Sequence, residues 1–151
     1  MSCQNYKIIE LQNNNIGAVA VNGFMPLGQV TRRISTSTGS GVPFEVTSSG
    51  SDTVQLTSKG YYKVMYSASL TVSAAGTVQV ALLANGVEVY NVTESASGAG
   101  AVNLTLIKDI RVFANCAACS TNCPVNLQLQ LKGSAITGGT SNIIVDSCVN
   151  G

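Results

Sequence analysis

The clearest pattern in the chain is a strict alternation that starts at Gly60. Tyr62, Val64, Tyr66, Ala68, Leu70 and Val72 share one side, and Tyr61, Lys63, Met65, Ser67, Ser69 and Thr71 share the other. Successive side chains on a β-strand point to opposite faces, so this period of two predicts a long half-buried strand of about eleven residues. Tyr61 and Met65 depart from the polar side and are either exposed or contacts for a neighbour. A second alternation sets Val125, Leu127, Leu129 and Leu131 against Asn126, Gln128, Gln130 and Lys132. Between the two, Val78, Val80 and Leu82 oppose Thr77, Gln79 and Ala81, and Asn85-Gly86 separates them from Val87–Tyr90. Both turn residues tolerate positive φ, as a tight type I′ hairpin requires.

Shorter signals fill the rest. Residues 1–15 read as a polar lead-in, a terminal arm or the start of a subunit contact, ending in Gln12-Asn13-Asn14-Asn15. Ile16 to Val21 alternates up to a turn at Asn22-Gly23, and Pro26 argues against a central strand in the stretch that follows. Pro43–Val46, Thr53–Leu56 and Asn142–Val145 read as short strands, whereas 35–41, 95–100 and 134–140 read as loops rich in Gly, Ser and Thr. Val102, Leu104 and Leu106 alternate toward Ile110, Val112 and Phe113, with a bend expected between the two groups. No helical period is sustained anywhere. Eight or more short strands with such turns predict an all-β, two-sheet antiparallel jelly-roll sandwich. Residues 1–21 are expected to form an arm and first strand, and 22–151 the remainder of a single domain. An immunoglobulin-like sandwich is the competitor, but its usual buried Trp is impossible here because Trp is absent.

Composition sharpens the picture. Charged residues make up only 10% of the chain, against about 25% in an ordinary soluble domain. A surface this poor in charge argues for self-association, because a subunit that covers part of its surface needs less charge for solubility. The formal charge of +1 provides no field to attract nucleic acid, and Arg32-Arg33, the densest basic spot, reads as a surface doublet. Neither a signal peptide nor an apolar run of membrane-spanning length is evident, which predicts synthesis in a cytoplasm without membrane insertion. The sequons at Asn91 and Asn103 carry little weight without secretion.

Catalytic motifs are scarce. With no His, a Ser-His-Asp triad, a Cys-His pair and histidine metal sites are excluded. No phosphate-binding glycine loop occurs, and Asp109 between Lys108 and Arg111 reads as a surface charge cluster. The cysteines are the one chemical grouping: Cys116, Cys119 and Cys123 lie close in sequence, with Cys3 and Cys148 near the ends. A disulfide within the central group, a Cys3–Cys148 pair if the terminal strands are neighbours, a thiolate metal site and five reduced thiols all stay open. The odd count leaves at least one thiol without an intrachain partner. No cofactor is expected.

The run Gly60-Tyr61-Tyr62-Lys63-Val64-Met65-Tyr66 resembles the Gly-x-Tyr strand of the C1q/TNF-like jelly-roll superfamily. Gly76–Leu82, the Asn85-Gly86 hairpin, Val125–Leu131 and Asn142–Val145 follow in the same order. The resemblance covers about Asn22 to Val145 and is to the compact bacterial and bacteriophage forms, some of which cap spore-surface fibres. It implies a homotrimer packed around a threefold axis, with Tyr62 and Tyr66 in either the sheet core or the axial interface. The chain lacks a collagen-like stalk, and its cysteine group is foreign to the family pattern. These readings together predict a non-enzymatic homotrimeric structural protein, a bacteriophage capsid decoration or fibre-associated domain at the virion surface, partnered by a capsid, fibre or surface assembly. The alternative is a receptor- or glycan-recognition module on a virion or spore, using Tyr61, Tyr90 and the loops 35–41 and 134–140.

Overall fold

The computed structural model describes residues 5–35, 44–46, 52–56, 60–112 and 125–149. Ten strands run in chain order: β1 (Asn5–Asn13), β2 (Gln29–Ser35), β3 (Phe44–Val46), β4 (Val54–Leu56), β5 (Gly60–Val72), β6 (Gly76–Ala84), β7 (Val87–Ala96), β8 (Gly100–Val112), β9 (Val125–Gly133) and β10 (Gly138–Val149). They form two five-stranded sheets, β2-β1-β10-β5-β8 and β3-β4-β9-β6-β7, with every pairing between strands antiparallel. No helix occurs among the described residues.

The alternation read from the sequence decides what lies between the sheets. Tyr62, Val64, Tyr66, Ala68, Leu70 and Val72 of β5 are all buried, and Leu127, Leu129 and Leu131 of β9 meet them from the opposite layer. Val102, Leu104, Leu106, Ile110 and Val112 extend the same core along β8, while Ile9 and Leu11 extend it along β1. Each such side chain contributes about 1.5–3 kcal/mol relative to its exposed state, so a two-layer core of this extent dominates the fold's stability. The Asn85-Gly86 hairpin forms as expected, with φ of 52° and 81° and Ala84 paired to Val87.

Several elements differ from the sequence reading. Residues 5–13 of the polar lead-in form β1, a strand inside the first sheet paired with both β10 and β2, and residues 1–4 lie outside the described residues. β2, of which the sequence reading singled out only the Arg32-Arg33 doublet, is a strand. β8 runs without a bend from Gly100 to Val112, paired throughout with β5, because the unbroken antiparallel ladder keeps it extended over its whole length. The expected loop 134–140 yields its last residues to β10, and Ile136 within it is buried and bridges Val19. Residues 22–25 extend the edge of the second sheet along β9: Asn22 N–H donates to Leu131 O at 2.7 Å and Met25 N–H to Leu129 O at 2.7 Å. Asn22 itself takes a φ of 71° in the turn closed by Gly23 N–H on Ala20 O. One glycine is obligatory in this region. Gly28 has a φ of 88°, and a Cβ there would collide with the Gln12 carbonyl oxygen.

Candidate functional site

The outer face of the first sheet is built from cross-strand rows fixed by register. Toward the β1 start and β10 end, one row in from the Tyr61–Arg111 pair, Asp146 of β10, Lys63 of β5 and Asp109 of β8 stand side by side. The next row is apolar, with Ile144, Met65 and Ile107, and continues through Glu10 on β1 to Arg32 on β2. Beyond it come two neutral rows, Gln12-Asn142-Ser67-Thr105 and Thr140-Ser69-Asn103. They border an open depression of about 460 Å³. The surface therefore passes from charged through apolar to amide and hydroxyl groups over four successive rows.

Ile107 is 55% exposed and Tyr61 62%. An isoleucine that open in mid-strand is the outward exception on β8, whose other outward positions from Ala101 to Arg111 are polar, charged or alanine. Tyr61 is flanked by the Arg111 guanidinium, 5.1 Å from its ring centroid, a cation–π distance. Glu10 is held by Asn142, whose Nδ2 donates to Oε2 at 2.8 Å, and by Arg32 Nε at 3.6 Å. Asp146 is half-buried, beside Ile8, which is 3% exposed. Withdrawal from water raises the Asp146 carboxyl above its ordinary range; the Lys63 charge opposes that rise and the Asp109 charge adds to it.

Tyr62 and Tyr66 lie inside the sandwich, 1% and 0% exposed, and so occupy the core rather than the outer face. Burial pushes the Tyr66 phenol up to about 12, and the nearby Ser141 hydroxyl offsets part of that rise. The Tyr66 and Ser141 hydroxyls do not complete a well-formed hydrogen bond. Cys3, Cys116, Cys119 and Cys123 lie outside the described residues. Cys148 stands opposite Tyr6 in the β1–β10 ladder, and its side chain is likewise outside them. The terminal strands are thus neighbours. Among the described residues no group of three or more metal-ligating side chains occurs, and no helix is long and apolar enough to cross a membrane.

The residues considered for glycan contact do not converge. Tyr90 lies at the β7–β8 edge under Lys108, whose Nζ is 5.6 Å from its ring, whereas Tyr61 is on the outer face of the first sheet. Segment 134–137 is tied to Thr71 and Thr77, so Tyr61 stands the length of β5 away from it, about 33 Å at the strand rise. Residues 36–41 lie outside the described residues. The apolar row was missed in the sequence because its members come from β5, β8 and β10, and only register unites them. Met65 and Ile107 were each visible as departures from a polar outer side.

The strand order closes the question of fold. In solved structures, the PRD1 vertex protein P5 superposes with a TM-score of 0.57 at 13% identity, covering 99% of this chain and 100% of that one. Murine APRIL at pH 5.0 gives 0.61 at 11% identity, with coverage of 93% and 98%. The globular domain of a zebrafish complement 1qA protein gives 0.58 at 6% identity, with coverage of 95% and 97%. The chain has a C1q/TNF-like jelly-roll fold. No protein-family model matches its sequence, and no curated relative does. The overall fold is therefore held in common with little of the sequence shared.

Proposed function

We propose that this jelly roll is a non-enzymatic, homotrimeric structural protein that decorates a virion at its capsid or fibres, with the outer face of the first sheet as its self-association surface. The observation that carries the assembly reading is the Ile144-Met65-Ile107 row, an outward apolar stripe with Ile107 exposed and Met65 and Ile144 partly so, on a chain poor in charge. Covering it gains hydrophobic free energy at about 25 cal/mol per Å², and a subunit that hides this face needs few charges to stay soluble. The virion reading is supported by the PRD1 vertex protein, which aligns over the full length of both chains. Association by burial also stabilises each subunit by mass action, since only the folded chain binds its copies.

Light scattering on the eluted protein at micromolar concentration tests the first half, with a mass three times the 15.5 kDa chain expected. A monomer at that concentration overturns the trimer. Mass spectrometry of purified particles tests the second half, and absence of the chain from them removes the virion role.

A further inference from the structure

The self-association surface carries its charge in an unusual place. The Asp146-Lys63-Asp109 row adjoins the apolar row, one side-chain repeat of about 6.6 Å away along the strands. Two carboxylates flank one amine, so the row is net negative when all three groups are ionised. Among the described residues, neither aspartate closes a direct ion pair; the pairs there are Arg32–Glu10 and Lys132–Glu88. The other charged neighbours are committed elsewhere: Arg111 to the Tyr61 ring, and Glu10 to Arg32 and Asn142. From β1, Ile8 faces Asp146, and Tyr6 and Lys7 follow with side chains outside the described residues.

Interface dimensions bring this row into any contact made by the apolar one. Three adjacent strands span only about 14 Å across the hydrogen-bonding direction, while a standard interface covers about 800 Å² per partner. A copy seated on Ile107, Met65 and Ile144 therefore reaches along the strands as well, and we take it to extend over the adjoining row and cover Asp146. Removing the remaining water from a half-buried carboxylate disfavours its charged form. We propose that self-association is proton-linked through the Asp146-Lys63-Asp109 row: covering Asp146 makes the assembly take up protons, so that copies of this chain bind one another more tightly in acid than at neutral pH. This rests on the trimer reading above. The sign follows from linkage: the assembled state binds more protons than the free subunits, so association strengthens as pH falls.

Sedimentation equilibrium at fixed ionic strength between pH 5 and pH 8 tests it on the full chain, alongside Asp146→Asn and Asp109→Asn. For the wild type, the concentration at half-dissociation is expected to fall toward pH 5, by up to tenfold per pH unit for each proton taken up, or about 1.4 kcal/mol. Asp146→Asn is expected to assemble tightly with a flattened profile, and Asp109→Asn to flatten it less. Dilution calorimetry in two buffers of different ionisation enthalpy counts the protons released on dissociation without any variant, and Asp146→Ser repeats the test if the asparagine form misfolds. A trimer in which Asp146→Asn keeps the wild-type slope overturns the linkage alone, as does zero proton release. Assembly that strengthens toward alkaline pH overturns it too, because a partner cation then meets Asp146. Monomers at every pH, in the wild type and in Asp146→Asn, overturn the trimer reading itself.

Discussion

On the outer face of the second sheet several polar side chains satisfy one another, although Asn126 Oδ1 is buried without a hydrogen bond. Glu88 accepts from Lys132 Nζ at 3.0 Å and from Asn91 Nδ2 at 3.1 Å, and Gln130 Nε2 donates to the Asn22 carbonyl at 3.0 Å. Asn85 Oδ1 accepts from the Asn126 backbone at 2.8 Å, tying the hairpin to β9. Its outward apolar residues on β6, Ala81 and Leu83, are 0% and 6% exposed. On the first sheet, by contrast, an exposed isoleucine stands next to a row of charges without a direct ion pair among the described residues. Two faces of one sandwich, built from similar residue types, thus differ in completeness. The second is the more nearly finished surface toward water, Phe24 at its edge apart (40% exposed, opposite Gln130), whereas the first has features that a partner completes. Low overall charge hides this contrast, since it lies in arrangement rather than in composition.

The largest expected effect separates the two sides of β5. Tyr66→Ala removes a fully buried ring and should destabilise the subunit by about 3–5 kcal/mol, read from urea unfolding. Met65→Ala, one residue along, should leave subunit unfolding within about 1 kcal/mol and weaken assembly instead. A Met65→Ala subunit as unstable as Tyr66→Ala would erase the distinction between core and association face. Next in size, Ile107→Asp should raise the concentration at half-dissociation by about 100-fold, or about 2.7 kcal/mol. Thr93→Asp on the second sheet's outer face should leave it unchanged, both measured by sedimentation.

Alkaline pH gives a smaller effect. Tyr66 is held neutral by burial, with its phenol raised to about 12. Its contribution is fully present below the unfolded value of about 10 and is lost as pH rises through the folded value, a loss of about 2–3 kcal/mol. Tyr66→Phe should abolish that alkaline sensitivity in unfolding curves and cost about 1 kcal/mol or less at pH 7, because the hydroxyl it removes has no well-formed bond. The smallest effect tests the finished face. Lys132 and Asn91 lower the Glu88 carboxyl, so its stabilisation is present above the unfolded value and fades as pH falls through the folded one. Carbon-detected titration should find Glu88 below the ordinary glutamate range, and Lys132→Ala should return it toward that range.

The core was legible because β5 and β9 announce their faces by strict alternation, which needs no knowledge of neighbours. β1 was not, because Asn5, Gln12 and Asn13 outweigh the apolar set of Ile8, Ile9 and Leu11, and two adjacent isoleucines break the period. β2 was hidden for a related reason: Thr31, Arg32 and Arg33 are all exposed, and only pairing with β1 makes this stretch a strand. The association face posed a harder problem. Met65, Ile107 and Ile144 are far apart in sequence, and a row is a property of three registers at once. Asp146 and Asp109 likewise become neighbours of Lys63 only across two ladders. Cross-strand chemistry is carried by pairing, and pairing is what a single chain's periodicity leaves open.

The β1–β10 ladder sets Asn5 against Val149, so the chain enters and leaves the sandwich side by side. That gives the domain a base and a tip. Anything joined before β1 or after β10 departs from the base, the pole that also carries Asp146, Lys63 and Tyr61. The connections at 73–75, 97–99 and 134–137 crown the tip, so a peptide grafted into 73–75 or 97–99 would be displayed from the pole opposite any tether.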